Sequence, residues 1–210
     1  MNKNGRIYFY LTITVFVVLF LSGCAATVKN MRPLSPGEVV DIPEDGKAMV
    51  VFLRPYTFSG SAIQSSVFEV KENNFSLVGI LATKNKVAYS LDPGPHLFMV
   101  IGESADFMSA ELEPNKIYYV LVTPRLGWWK ARFSLKPIPY NESNSSKLYE
   151  WLDNCEWVGK TDDSDRWAIH NMNSIKNKYS KYYKKWIQKV DKSKLYPQDG
   201  KSIKRELKNL

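Results

Sequence analysis

The groups in this 210-residue chain whose types suit chemistry are two histidines, two cysteines, scattered carboxylates and one dense run of lysines and aromatics. Metal binding needs ligands clustered at short spacing. His96 and His170 lie far apart with no cysteine pair near either, so no metal site and no cofactor is expected. Gly102-Glu103-Ser104-Ala105-Asp106 offers a serine in a glycine-led turn. It lacks the second glycine of a nucleophile elbow and falls between strands, not at a strand-to-helix turn, so that reading fails on context. Glu111 and Glu113 share a strand face at a spacing typical of a solvated edge, with no cleft to separate their pKa values for acid–base work. No phosphate-cradling glycine loop or dinucleotide fingerprint occurs. No catalytic residue and no small-molecule substrate is assigned, and an enzyme would need a site assembled from distant positions.

Charge and the N-terminus carry more information. Of the net +8, residues 160–210 hold 14 Lys/Arg against 6 Asp/Glu, whereas residues 24–159 hold 13 against 15. The chain starts MNKNGR, continues with the apolar run Ile7 to Leu21, and follows it with small residues, the three parts of a secretory signal over residues 1–23. The alternative is a membrane-spanning anchor longer than that run. Leu21-Ser22-Gly23-Cys24 resembles the lipobox of bacterial lipoproteins. The resemblance implies cleavage between Gly23 and Cys24, and a Cys24 that carries a thioether-linked diacylglyceryl group and an N-acyl chain. Three acyl chains exceed what stable anchoring needs. Ala25 in place of Asp implies, in a diderm bacterium, the periplasmic face of the outer membrane. With Cys24 consumed by lipid, Cys155 has no intrachain partner. It is read as a buried thiol beside Trp151, Leu152, Trp157 and Val158, the alternative being an intermolecular bridge.

The lysine–aromatic run is KYSKYYKKWIQK, residues 178–189, with five lysines, three tyrosines and a tryptophan. On a helix advancing about 100° per residue, Ala168, Met172, Ile175, Tyr179, Tyr182, Trp186 and Val190 form one stripe. Lys178, Lys181, Lys184, Lys185 and Lys192 lie opposite, and Lys176 and Lys189 flank the stripe. A nucleic-acid groove wants rings and cations together, so this separation argues against nucleic acid. Three readings stay open. The stripe packs and the lysines are solvated; the stripe packs and the lysines contact anionic lipid headgroups or acidic envelope polymers; or the stripe itself enters the interface or another envelope protein's groove. Trp128 and Trp129, in a loop between strands, either cover the core or present one indole to a sugar or a partner's pocket.

The elements that must position these groups follow from texture. Residues 24–46 contain Pro33, Pro36 and Pro43 and read as a tether. From 47 to 137, β-branched and aromatic runs alternate with turn signals, which predicts a β-sandwich with strands at 47–54, 61–70, 75–82, 86–91, 96–102, 107–113, 116–122 and 130–136. Lys71-Glu72-Asn73-Asn74 suits a short hairpin connection, Asp92-Pro93-Gly94 a type II turn, and Glu113-Pro114-Asn115-Lys116 a second proline-led turn. KIYYVLV, residues 116–122, is apolar on both faces and predicts a central strand covered on its second face, with the C-terminal helix as the available cover. Residues 138–160 connect the domain to a basic amphipathic helix over 161–194, capped by Thr161-Asp162-Asp163-Ser164-Asp165, and 195–210 form a basic tail.

The segments Val51-Phe52-Leu53-Arg54-Pro55, Leu91-Asp92-Pro93-Gly94-Pro95-His96 and Lys116-Ile117-Tyr118-Tyr119-Val120 resemble the β-rich domain of an uncharacterised family of PEGA-like bacterial lipoproteins. That resemblance implies a sandwich-type fold and no established activity. The expectation is a lipid-anchored cell-envelope protein, a binding or structural module without catalysis, held to the membrane by its acyl chains. The alternatives are an envelope enzyme, or an accessory subunit docked through its C-terminal helix.

Overall fold

The computed structural model describes residues 30–35, 38, 43–58, 60–72, 74–125, 132–142 and 145–206. The expected signal segment over 1–23, including Gly23, as well as Cys24 and the pair Trp128 and Trp129, lies outside the described residues. In chain order the elements are β1 (Met31–Pro33), β2 (Ala48–Arg54), β3 (Ser65–Lys71), β4 (Asn74–Leu81), β5 (Asn85–Leu91), β6 (Gly94–Ile101), β7 (Ala105–Leu112), β8 (Lys116–Arg125) and β9 (Arg132–Pro137). There follow α1 (Ser146–Asn154), β10 (Glu156–Lys160), α2 (Asp162–His170), α3 (Met172–Trp186), β11 (Ser193–Leu195), β12 (Lys201–Ser202) and the single turn α4 (Ile203–Glu206). The protein is mainly β, with two mixed sheets. The first runs β1-β10-β5-β2-β8-β12, with β9 also on β8; the second runs β11-β7-β6-β3-β4.

Alternation along the strands explains how the sheets are covered. In β2, Ala48, Val50 and Phe52 enter a cluster shared with the second sheet, where Phe52 meets Phe98 edge-on at 5.2 Å. The intervening Met49, Val51 and Leu53 join a separate cluster with Ile117, Tyr119 and Leu121 of the adjacent β8. Both strands are therefore buried on both faces, and β8 is central. The cover on its second face is Leu148 and Leu152 of α1 together with Ile138 and Ile203. The C-terminal helix is not that cover. It packs on the second sheet, where Phe107 of β7 is in ring contact with Tyr179, Tyr183 and Trp186 of α3. A stripe of apolar residues fixes which helix face is buried but not which sheet buries it.

All eight predicted strands are present, and the additional ones are short. β1 lies inside the expected tether and pairs antiparallel with β10, which lies inside the expected connecting segment. β12 and α4 fall in the expected basic tail, where Lys201, Ile203 and Glu206 are buried. Tyr119 of β8 donates to Glu206 Oε2 at 3.0 Å, which fastens this segment to β8, and Lys201 Nζ lies 3.3 Å from Glu206 Oε1, an ion pair within the segment. The turns follow residue chemistry. Gly94 takes φ +117° as the proline-glycine turn requires, and Asn115 takes φ +60° while its side-chain oxygen accepts from the Gly46 N–H at 2.9 Å. In the β3–β4 connection Glu72 carries a positive φ of 48°, and Asn73 lies outside the described residues.

Candidate functional site

The expected helix over 161–194 is two helices. Thr161 caps α2, its hydroxyl accepting from Ser164 N while the Ser164 hydroxyl accepts from Thr161 N, a reciprocal box within the 161–165 segment that the sequence marks as a helix start. At Asn171 the backbone leaves helical geometry (φ −93°, ψ 4°), and the Asn171 side-chain amide donates to the Trp167 carbonyl at 2.8 Å. That carbonyl is shared with the Asn171 N–H at 3.0 Å, and Ile175 N–H bonds the Asn171 carbonyl at 3.0 Å, so the local side-chain bond accompanies a departure only one residue wide, with neither proline nor glycine. α3 then runs to Trp186, so Val190 falls beyond it and is exposed.

One face of α3 is occupied. Ile175 and Trp186 are buried, Tyr179 stacks on Tyr183 with centroids 4.9 Å apart, and Tyr179 also meets Phe75 edge-on at 5.2 Å. Tyr182 packs against the same cluster. Tyr183, absent from the sequence-derived stripe, belongs to it because a helix lying on a flat sheet buries a band wider than one residue. Tyr179, Tyr182 and Trp186 are thus committed to intramolecular packing.

The lysines divide. Lys178 is half-buried and its amine donates to the Gly102 carbonyl at 2.7 Å; burial lowers its pKa. The long stem lets the amine travel from the expected face to a backbone acceptor. Lys189 pairs with Asp106 at 3.0 Å, and Lys192 lies 5.8 Å from the Trp186 ring. Lys181, Lys184 and Lys185 are exposed, as is Lys176, and among the described residues no carboxylate lies within 4.0 Å of any of these four. This surface can attract anions by charge.

Other polar clusters are internal fasteners that the sequence did not reveal. Asp106 receives the Ser134 hydroxyl at 2.7 Å besides Lys189, and Arg125 stands 3.7 Å away, so one buried carboxylate ties both sheets to the end of the helix. Glu69 receives the Tyr89 hydroxyl at 2.7 Å and lies 2.7 Å from His96 Nδ1, while His96 Nε2 is 2.9 Å from the Asp92 carbonyl. The hydrogen bond from His96 is the chief reason Glu69 lies below the usual carboxylate range; burial, and then Glu69, push Tyr89 up. Both Glu69 oxygens are engaged, so this network braces β5 against β3 and β6. His170 sits exposed at the end of α2. Glu111 and Glu113 are exposed, and Cys155 is a buried free thiol pushed up to about 11 by desolvation.

Clefts among the described residues flank these elements. A cavity of about 510 Å³ opens where β10 parts from β5 to join β1, and its charged rim groups are already paired, Arg32 with Glu38 and Lys160 with Asp165. Cavities of about 370 Å³ and 150 Å³ lie between α2, α3 and the ends of β3 and β6, sharing Gln64, Ser66 and Trp167. Among the described residues no group of three or more His, Cys, Asp or Glu is placed to hold a metal ion, and no helix is long and apolar enough to cross a membrane. No family model matches the chain, and no curated protein matches it either.

Proposed function

We propose that the chain is a lipid-anchored envelope protein in which a β-sandwich body, held to the membrane through acylated Cys24, presents the lysine face of α3 as a non-enzymatic binding surface. The observation that carries this reading is Leu21-Ser22-Gly23-Cys24 placed directly after an apolar run with a basic start. The packing of α3 supports the second half. Its aromatic face is spent on Phe107 and Phe75, which leaves Lys181, Lys184 and Lys185 as the surface available to a partner. Each lysine near an anionic headgroup layer contributes about 1 kcal/mol. Three together give an attraction that is weak alone and effective for a body already tethered at the surface.

Flotation with anionic vesicles tests the lysine face. A soluble form should begin at Asn30, because beginning at Lys47 would remove β1 and the contacts of Asn30 with Thr161 and Ser164. The expected result, at low salt and with anionic lipid in millimolar excess to match so weak an attraction, is partial flotation of this form that disappears when Lys181, Lys184 and Lys185 are changed to Glu, and that weakens with salt. Equal flotation of both forms, or none by either, rejects the electrostatic surface.

A further inference from the structure

Between β2 and β3, residues 55–64 read Pro-Tyr-Thr-Phe-Ser-Gly-Ser-Ala-Ile-Gln, a loop without a charge. Phe58 is 91% exposed and Tyr56 58%. The foot of the loop is fixed nonetheless. Arg54, 1% exposed, donates from Nη2 to the carbonyls of Gly60 (2.8 Å) and Ile63, and from Nη1 to the carbonyl of Leu81. Its guanidinium sits 4.6 Å from the centre of the Phe133 ring. A planar fork with several donors suits this clamp, which a single ammonium would not reproduce. The fold therefore uses a buried cation, held by carbonyls and an aromatic ring, to support a loop that displays an aromatic side chain to solvent.

The location of the loop points to what covers it. Asn30 lines the cavity of about 150 Å³ together with Gln64, Ser66, Ile80 and Trp167, so the chain enters the body beside the foot of this loop. Cys24 is six residues upstream of Asn30. Six residues span at most about 20 Å. An acylated Cys24 thus keeps this end of the body close to the bilayer. Tyr and Trp rings favour the headgroup layer, where an apolar ring with a polar handle is stable. Lys84, whose amine is 5.9 Å from the Tyr56 ring centre, is a cation beside the same loop.

We propose that Tyr56 and Phe58 seat in the headgroup interface of the membrane that Cys24 anchors, giving the body a second point of contact with lipid. The proposal rests on the lipid-anchor reading. Two aromatics suffice because the acyl chains already hold the body at the surface, which makes the second contact effectively intramolecular. It also fixes orientation: with the loop down, the body cannot tumble freely on its tether.

The test uses the acylated full chain in vesicles of phosphatidylethanolamine and phosphatidylglycerol, with a nitroxide attached at Phe58→Cys. Cys155 is buried and its thiol is pushed up to about 11, so it stays unlabelled at neutral pH. The reference is the same label at Glu111→Cys, exposed near the end of β7 away from the loop and off α3. The expected result is a higher ratio of collisions with oxygen to collisions with a water-soluble nickel chelate at position 58 than at position 111. That excess should vanish when Tyr56→Ser is added. Equal ratios at the two positions overturn the proposal, and they are also the outcome if the loop fits a protein pocket instead. Metabolic labelling with a radioactive fatty acid in cells carrying wild-type chain or Cys24→Ala reports the anchor separately. Label in wild type and none in Cys24→Ala, together with equal ratios, removes the loop contact but keeps the anchor, whereas no label in wild type removes the anchor itself.

Discussion

Replacing Phe107 with Ala would separate what α3 does for the fold from what its far face does for binding. Phe107 is 1% exposed, and its ring meets Tyr179 at 5.8 Å, Tyr183 at 5.4 Å and Trp186 at 5.8 Å. Truncating a phenylalanine in such a place costs about 3–5 kcal/mol, since the ring's transfer energy is lost and a cavity remains. The three aromatic pairs account for roughly 0.5–1.5 kcal/mol each within that total. A domain holds about 5–15 kcal/mol in all, so Phe107→Ala should consume about a fifth or more of the stability. Lys184→Ala, on the exposed face, should change it by no more than about 0.5 kcal/mol. Urea unfolding followed by tryptophan fluorescence measures both, and hydrogen exchange should show lost protection across 175–186 in the first variant only. A change below about 1 kcal/mol for Phe107→Ala, or an equal loss for Lys184→Ala, would refute the assignment of the two faces.

Other consequences follow from close contacts and from charge. A Cβ at Gly200 would lie 2.6 Å from Cζ of the buried Tyr118 ring and 2.9 Å from Lys116 Cβ, so Gly200→Ala should destabilise by about 1–3 kcal/mol. Thermal unfolding would show it as a lower Tm, and an unchanged Tm would mean that the C-terminal segment does not press on β8 as described. Glu69 has its carboxyl held below the ordinary range, first by His96, so the native state binds fewer protons than the unfolded chain near the unfolded value of about 4.3. Its stabilisation is present above that value and is lost as pH falls through the folded pKa. Acid unfolding should therefore be less steep in Glu69→Gln than in wild type, and parallel curves would contradict the network.

What the sequence could show was whatever repeats. The eight longer strands show as β-branched and aromatic runs bounded by turn residues, and KIYYVLV is apolar on both faces because both faces are covered. β1, β10, β11 and β12 are too short to show a period, and their pairing is set by partners far along the chain, as with Met31 opposite Lys160. The helical stripe from Ala168 to Trp186 was legible, yet the break at Asn171 is one residue wide and comes with a side chain turned to its own backbone. Five lysines opposite the stripe follow from the period alone. Lys178 leaves that set through its contact with Gly102, whereas Lys192 stays exposed near Trp186 as Lys181 does near Tyr182. Arg54 was visible only as the end of a strand; its clamp on Gly60, Ile63 and Leu81 needs three segments brought together.

The central claim is that this body is held to a membrane through Cys24, and the mass of the mature protein tests it most directly. The account predicts a chain beginning at Cys24 and heavier than the polypeptide by one diacylglyceryl group and one N-acyl chain. A mature protein that retains residues 1–23, or one that starts at Cys24 with a free thiol, would contradict it.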